Sequence, residues 1–484
     1  MTRSWIFYLL IGACVGGTIF ASEVPDLATA NLVLGQKSFT TKTFTTASAS
    51  TLFQPTGIAI DPVSRKVFIS DTQNCRILRY PNATSLGNGA AAEAVFGQSR
   101  FTDREPHATA SGLSSPNGIF FDSKGRLWVA DTGNDRVLVY HDAVHRTSGT
   151  NADHVYGEPD FTTPSSSERS AFTMQEPMGV SVDSEDRLWV VDQGNDRILR
   201  FDAISTKSDG APANGVLGPP DFTTYVASET EKILDRPVGL TVSSAGSLFV
   251  ADGRNRVVRY DHAANLMGNV YPNAVIGQPD LWSNLYGTSK TRIFYPGGVA
   301  LTKDDTLWVT DSYNCRLVRF DDASSKSDGA PADGIIGQPD YFSGSEKTTS
   351  KGLAWPYGNP CVDVDGNLWI SDYNNNRVLR YSEDHTPPKL TLVTVIPTAP
   401  VYKYFKIQVI ATDENSVAGV FYKLGENHYR PAIATRHRWE TGTDIPLKKG
   451  LNVFRFYAVD TAGNRSPVKV VRIKSSGGYA PPKH

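Results

Sequence analysis

Nine polar and aromatic side chains stand at comparable positions of a repetitive chain, and their types could bind or transform a ligand. Five are aromatic, and the other four carry an amide or a charge. These candidate ligand-binding residues are Gln54, Asn117, Glu176, Arg236, Tyr295, Tyr313, Trp355, Tyr357 and Tyr373. Aromatic rings beside a few polar groups suit a saccharide, a peptide or a loop of a partner protein.

The elements that must position these residues are copies of one unit of about 60 residues. The clearest copy, residues 116–140, reads PNGIFFDSKGRLWVADTGNDRVLVY. Its first glycine recurs at Gly57, Gly118, Gly179, Gly239, Gly298 and Gly358. A fixed period of this length indicates repeated supersecondary units that bury a shared core.

Each unit contains four short segments rich in Val, Ile and aromatic residues, bounded by Gly, Pro, Asp and Asn. No window shows a sustained helical period, so helices should be scarce. Six units of four strands predict an all-β fold, a six-bladed β-propeller over residues 29–381. A strand at Leu32–Gln36 precedes the first unit, and we expect it to complete the last blade, which ends at Tyr381.

The motif Pro-x-Gly…Gly-x-Leu-Trp-Val-x-Asp-x-x-Asn-x-Arg resembles the NHL repeat. The resemblance implies a propeller in which each repeat supplies most of a blade. The family includes extracellular binding and sensor domains, RNA- and protein-binding domains and a zinc-dependent peptide-amidating lyase, so it leaves the activity open.

The residues that are constant between units are predicted to be structural. Asp71, Asn74 and Arg76 have equivalents in every unit, and no catalytic role requires six copies. Asp and Asn stabilise turns, and a paired Arg can bridge to the next blade. Cys75 and Cys315 share one repeat position in units that are not neighbours, so we expect small buried residues there rather than a disulfide.

The candidate residues instead vary between units. They flank the proline that enters the first strand or lie in the loop between strands two and three, and both loops belong to one face of a propeller. We therefore expect a ring around the channel mouth. Its aromatic side comes from the last two units, and Gln54, Glu176 and Arg236 lie opposite.

This arrangement favours an exported, non-catalytic recognition or scaffold protein that binds a glycan, peptide or protein partner at the propeller mouth. The alternative is a propeller hydrolase or lyase with a metal in the central channel. No His lies in a first strand to serve as a ligand. Gluconolactonase-type propellers use a Glu, Asn and Asp set, and Glu176 and Asn117 are present, but the surrounding motifs do not match. We assign no catalytic residue, metal or cofactor.

The start of the chain predicts export. Residues 1–22 have a short positive start, an apolar stretch and small residues, as in a secretory signal peptide. A transmembrane anchor is the rival interpretation, and the sequence ending at Cys14 resembles a lipobox, which would place a lipid anchor on that cysteine. We expect a periplasmic or extracellular protein, either freely secreted or a lipoprotein.

The composition changes after the sixth unit. Residues 382–388 read as a linker, residues 389–475 resemble a bacterial Ig-like β-sandwich with Trp439 in its core, and residues 476–484 form a disordered tail. Residues 387–484 contain 15 Lys and Arg against 6 Asp and Glu, a net charge of +9. Such a module could contact an anionic surface. Nucleic acid is not expected as a partner.

Overall fold

The computed structural model describes residues 24, 26–43, 46–163, 168–228, 230–382, 389–394, 406–412, 417–425, 427–435, 438–441, 447–460 and 465–476. The predicted signal peptide with Cys14, most of the linker and nearly all of the tail lie outside these residues. The described chain is all-β, as the sequence predicted, and its only helices are nine three-residue 3₁₀ turns. None of its helices has the length and apolar character needed to cross a membrane.

Six four-stranded antiparallel sheets form the first part of the chain. The strand β1 (Leu32–Leu34) precedes them. Blade 1 contains β2 (Ile58–Ile60), β3 (Lys66–Asp71), β4 (Arg76–Asn82) and β5 (Ala94–Phe96); blade 2 contains β6 (Ile119–Phe121), β7 (Leu127–Asp131), β8 (Arg136–Tyr140) and β9 (His154–Tyr156); blade 3 contains β10 (Pro177–Val182), β11 (Leu188–Asp192), β12 (Arg197–Phe201) and β13 (Gly215–Leu217).

The other three blades repeat this order. Blade 4 contains β14 (Gly239–Val242), β15 (Leu248–Asp252), β16 (Arg256–Tyr260) and β17 (Ala274–Ile276); blade 5 contains β18 (Pro296–Leu301), β19 (Leu307–Asp311), β20 (Arg316–Phe320) and β21 (Gly334–Ile336); blade 6 contains β22 (Cys361–Val362), β23 (Leu368–Asp372) and β24 (Arg377–Tyr381). The 3₁₀ turns are Thr72–Asn74, Ala83–Ser85, Thr132–Asn134, Gln193–Asn195, Ile204–Thr206, Ala263–Asn265, Ser312–Asn314, Ala323–Ser325 and Tyr373–Asn375.

The ring of sheets is closed by the first strand of the chain. β1 pairs antiparallel with β24, and Leu32 lies opposite Arg380. This pairing confirms the closure predicted from the sequence and makes β1, instead of β24, the outer strand of blade 6. The first strands also contact one another in order, β2 with β6, β6 with β10, and so on until β22 contacts β2.

The six recurring glycines allow the blades to meet at the axis. A Cβ atom on Gly57 would lie 2.2 Å from the carbonyl oxygen of Asn117, and one on Gly358 would lie 2.4 Å from that of Thr56. Only a residue without a side chain permits this approach between neighbouring blades. Away from the axis, apolar side chains of adjacent blades fill the space between them; Phe68 of blade 1, for example, contacts Phe121 of blade 2 edge to face, with ring centroids 4.8 Å apart.

A buried ion pair fixes the loops of every blade. In blade 2 the Arg136 Nε donates to Asp131 at 2.8 Å, and neither side chain is more than 1% exposed. The Arg136 guanidinium also donates to the carbonyl oxygens of Thr109 and Gly112, in the loop that enters the blade, and of Phe161, in the loop that leaves it. The constant residues therefore have the structural role predicted for them, because the arginine of each pair joins two loops by hydrogen bonds.

The second part of the chain is a separate β domain of two four-stranded sheets. Its strands are β25 (Lys389–Leu392), β26 (Gln408–Thr412), β27 (Val417–Leu424), β28 (Arg430–Pro431), β29 (Ile433–Thr435), β30 (Arg438–Glu440), β31 (Gly450–Asp460) and β32 (Lys469–Ser475). Val409, Phe454 and Ile473 belong to its buried core, and Trp439 packs against that core while remaining partly exposed.

Removing one member of a buried ion pair should destabilise the propeller strongly. Asp131→Ala leaves the Arg136 charge buried without its carboxylate, so we expect the free energy of unfolding to fall by about 3–5 kcal/mol. Urea denaturation measures this loss. The control is Asp202→Ala, because the Asp202 side chain is 40% exposed in its pair with Arg200, and its change should stay within about 1 kcal/mol. Equal stabilities of the two variants would contradict the role assigned to the buried pair.

Candidate functional site

The residue directly before each entry proline has a left-handed backbone. These six entry residues have φ between 47° and 54° and are Gln54, Ser115, Glu176, Arg236, Tyr295 and Trp355. Positive φ is uncommon for residues other than glycine and is costly for bulky ones. Such a conformation persists only where the surroundings impose it, and five of the predicted site residues are in this position.

A bond from the preceding blade holds each entry residue. The backbone N–H of Tyr295 donates to the Asn255 side chain at 2.8 Å, and that of Gln54 donates to Asn376 at 3.0 Å. Asp135 and Asp196 accept in the same way from Glu176 and Arg236. We call these contacts the inter-blade bonds.

The two equivalent cysteines supply the corresponding contacts in the remaining two blades. The backbone N–H of Ser115 faces the Cys75 thiol and that of Trp355 faces the Cys315 thiol, and each N–H offsets part of the rise in that thiol's pKa. Burial raises the pKa of both thiols. Both cysteines are buried and free, as predicted from the sequence.

Ten residues around the channel mouth enclose a pocket of about 310 Å³. We call it the mouth pocket, and it is lined by Thr56, Thr72, Gln73, Ser115, Asn117, Met178, Tyr295, Trp355, Tyr357 and Tyr373. Its lining consists of hydroxyl groups, amides, a thioether and aromatic rings, without a charged side chain. The volume is at the lower end of the range for small-molecule sites.

The structure brings most of the predicted site residues to this pocket. Asn117, Tyr295, Trp355, Tyr357 and Tyr373 line it directly. Gln54 stands beside it, because its Oε1 accepts a hydrogen bond of 3.1 Å from the Tyr373 hydroxyl.

Three predicted residues do not line the mouth pocket. Tyr313 lies outside it and contacts the ring of Trp355 at 5.1 Å between centroids. Glu176 and Arg236 are exposed on the other side of the mouth. The two charges expected at the ring thus belong to its solvated rim.

Tyr357 is the most strongly perturbed phenol of the pocket. Burial raises the pKa of its hydroxyl well above the ordinary value, and the neighbouring phenols of Tyr295 and Tyr373 add to this effect. Burial also raises the pKa of Tyr373. At neutral pH both phenols are protonated; the Tyr373 proton is donated to Gln54, and that of Tyr357 can be donated to a ligand.

The hydroxyl groups on the opposite wall are oriented by the framework. Thr72 donates to the carbonyl oxygen of Pro116 at 2.8 Å, so its contact of 2.7 Å with Thr56 must use the Thr56 proton. Both hydroxyls consequently have their protons committed, and their remaining lone pairs can accept from a ligand. The mouth pocket thus combines the phenol donor of Tyr357 on one side with hydroxyl acceptors on the other.

The donors at the channel do not fit a resident metal ion. The Asn359 side chain bridges blades 4 and 5 there: its Oδ1 accepts from the Val299 N–H and its Nδ2 donates to the Leu240 carbonyl oxygen, both at 3.0 Å. The mouth pocket offers no imidazole, thiolate or carboxylate. Within the described ranges, no group of three or more His, Cys, Asp or Glu side chains could hold a metal.

Some lining residues were not among the nine candidates. Thr56, Gln73, Ser115 and Met178 lie in the loops that the sequence places at the mouth, but nothing in their types distinguished them from neighbouring turn residues. Thr72 directly follows the constant Asp71. This position in the repeat was the one feature of the sequence that could have marked Thr72 as a lining residue. In four blades the residue at this position donates to the carbonyl oxygen of the next entry proline.

Comparison with known proteins identifies the repeated unit. Residues 113–140 and 295–320 match the model of the NHL repeat. Two of the six units thus match the NHL repeat. Among solved structures, a gluconolactonase from Xanthomonas campestris is similar in fold, with a TM-score of 0.40, 15% identity and coverage of 68% of this chain and 86% of that one.

Two curated relatives are named as enzymes. A probable peptidyl-alpha-hydroxyglycine alpha-amidating lyase of Caenorhabditis elegans is 24% identical over 261 residues, which cover 52% of this chain and 67% of the relative. A lactonase of Staphylococcus saprophyticus is 31% identical over 159 residues, 33% of this chain and 41% of the relative. The chain thus spans less than half of the lactonase. These relatives contradict the sequence-based interpretation of a non-catalytic recognition protein, which was wrong.

The inter-blade bond at Trp355 can be tested through its acceptor. Cys315→Ala leaves the Trp355 N–H without this partner and should lower the free energy of unfolding by about 1–3 kcal/mol. Cys315→Asn should retain or raise stability, because blades 4 and 6 use Asn at this position and Asn tolerates the φ of 50° found at Cys315. Chemical denaturation distinguishes the two variants. Equal losses for Ala and Asn would contradict the bond.

Proposed function

We propose that this protein is a hydrolase or lyase whose reaction takes place in the mouth pocket. The observation that carries the proposal is the Tyr357 phenol, held protonated by burial inside a neutral pocket of small-molecule size. The relatives named as a lyase and a lactonase support an enzymatic function at such a propeller. Both names describe cleavage beside an oxygen-bearing carbon, and this chemistry develops negative charge on oxygen.

Tyr357 would stabilise that charge. A preorganised donor in a site of low dielectric lowers the barrier when negative charge grows on a carbonyl or leaving oxygen. A raised pKa suits this role, since the phenol remains a donor. Thr56 and Thr72 would accept from hydroxyl or amide groups of the substrate and fix its orientation, while Trp355 would cover its apolar side.

The remaining expectations from the sequence also stay proposals. Export through a signal peptide at residues 1–22, a lipid on Cys14, and the Ig-like nature of residues 389–475 rest on sequence patterns alone. The net charge of +9 over residues 387–484 supports contact of that domain with an anionic surface.

Removing the Tyr357 hydroxyl should abolish most of the activity. We expect turnover of at least one compound from a panel of esters, lactones and peptidyl-α-hydroxyglycines, and Tyr357→Phe should lower kcat by about 10²–10³-fold, as for loss of an oxyanion donor. The ring and its packing remain, so the melting temperature should not fall. Steady-state kinetics and a melting curve measure both effects.

The matched control removes the same atom elsewhere. Tyr260 is buried in blade 4, and its hydroxyl has no hydrogen-bond partner among the described residues. Tyr260→Phe should leave kcat unchanged. Absence of turnover on the whole panel, or full activity of Tyr357→Phe, would refute the proposed function.

The pH dependence follows from the direction of the Tyr357 shift. An ordinary tyrosine loses its proton near pH 10, whereas the raised pKa of Tyr357 keeps its phenol protonated at that pH. Proton loss from this donor should therefore not reduce kcat below about pH 10. A kcat profile with a phenolic ionisation well below that pH would show that Tyr357 is not the donor.

A further inference from the structure

Seven aromatic rings form a continuous series of contacts on the mouth face of blades 5 and 6. We call this series the aromatic track, and from its outer to its inner end it contains Tyr286, Phe294, Tyr313, Tyr295, Trp355, Tyr373 and Tyr357. Consecutive centroids are 4.7–6.0 Å apart, with Tyr295 branching from Tyr313. The sequence indicated only the inner five rings.

The track leads from solvent into the mouth pocket. Its outer ring, Tyr286, is 74% exposed, and Tyr313 is 47% exposed. Trp355, Tyr373 and Tyr357 are partly buried and line the pocket. The exposed rings at the outer end contribute little to the core, and a contiguous exposed apolar surface commonly marks a binding site.

The position of the track also indicates a ligand. The entry residues of blades 1–4 are Gln, Ser, Glu and Arg, whereas those of blades 5 and 6 are Tyr295 and Trp355. All six share the same strained backbone, so the framework does not require an aromatic residue. Both aromatic entry residues point to one sector of the mouth, where the exposed rings also lie.

We propose that the aromatic track is a row of subsites for a neutral saccharide chain that enters the mouth pocket at one end. This inference rests on the proposed function, since the chain would be the substrate or would carry it. Aromatic rings offer flat apolar surfaces that match the C–H faces of pyranose rings. The amides of Gln73 and Asn117 and the hydroxyls of Thr56 and Ser115 suit the hydroxyl edges of a sugar.

The charge of the pocket defines the saccharide further. Its ten lining residues include no cation to pair with a uronate and no carboxylate to pair with an amino sugar. A charged unit would lose its hydration there without gaining a partner. The pocket therefore selects neutral sugar units.

Binding of soluble neutral hexasaccharides tests the track. Cellohexaose, xylohexaose and laminarihexaose are titrated into protein carrying Tyr357→Phe, so that turnover does not interfere, and heat of binding is recorded. We expect at least one to bind, with Tyr313→Ala weakening it about tenfold or more, as for a central aromatic contact. Tyr286→Ala should weaken the hexasaccharide and leave the corresponding disaccharide unaffected, because only the longer chain reaches the outer ring.

The control is an exposed aromatic residue away from the track. Phe172 is 55% exposed in the loop that enters blade 3, and Phe172→Ala should leave hexasaccharide binding unchanged. Absence of binding, equal losses for Phe172→Ala and Tyr313→Ala, or preference for a proline-rich peptide or an oligogalacturonate would overturn the saccharide track.

Failure of the track and failure of the proposed function give different results. Turnover of a short ester or lactone by the native protein, without hexasaccharide binding, overturns the track and leaves the proposed function standing. Hexasaccharide binding that depends on Tyr313, without turnover of any compound in the panel, supports the track as a binding surface and overturns its role as a substrate site.

Discussion

The buried Asp–Arg pair of each blade is the interaction on which the rest of the structure depends. It lies at the turn between the second and third strands, fully removed from water, and its guanidinium reaches the loops on both sides of the blade. Those loops lead into the entry residues, and the turn itself supplies Thr72, Gln73, Tyr313 and Tyr373. A pair that holds loops together by charge leaves the outward side chains of those loops free to differ, so framework and site can vary independently.

Blade 4 shows how the arrangement changes when one residue is missing. Its turn is one residue shorter, and the distance between Arg256 Nε and Asp252 widens to 3.5 Å, against 2.6–2.8 Å in the other blades. Gly253 stands where other blades have a side chain that donates to the next entry proline. The inter-blade bond survives, because Asn255 still accepts from Tyr295. The aromatic sector therefore begins beside the blade with the least regular turn, and the inter-blade bond from Asn255 still holds the backbone of its entry residue Tyr295.

The sequence predicted the fold because the signals for the fold are repeated. Six glycines and six Asp–Arg pairs recur with one period, and this period determines the strands and the blades. The additional strand at the N-terminus indicated that it pairs with the last blade and closes the ring. The site was less predictable, since it depends on distances between different units. The carbonyl group that accepts from Arg316, for example, belongs to Tyr341, 25 residues further along the chain. Likewise, the constant position of Cys75 and Cys315 gave no indication that their thiols face the N–H groups of entry residues.

The wrong functional prediction has a physical cause of the same kind. The chemistry of imidazoles and carboxylates is evident from residue type, but the lining of the mouth pocket contains neither. A phenol becomes a useful donor only through burial beside other phenols, as at Tyr357, and burial is a property of the assembled ring of blades. The Asn359 side chain at the axis bridges blades 4 and 5, and the lining of the mouth pocket carries no charged side chain. Chemistry in such a pocket must rely on neutral donors and exclusion of water. The inter-blade bonds matter most here, because they keep the aromatic rings rigid around a site whose lining has no charge to hold a substrate.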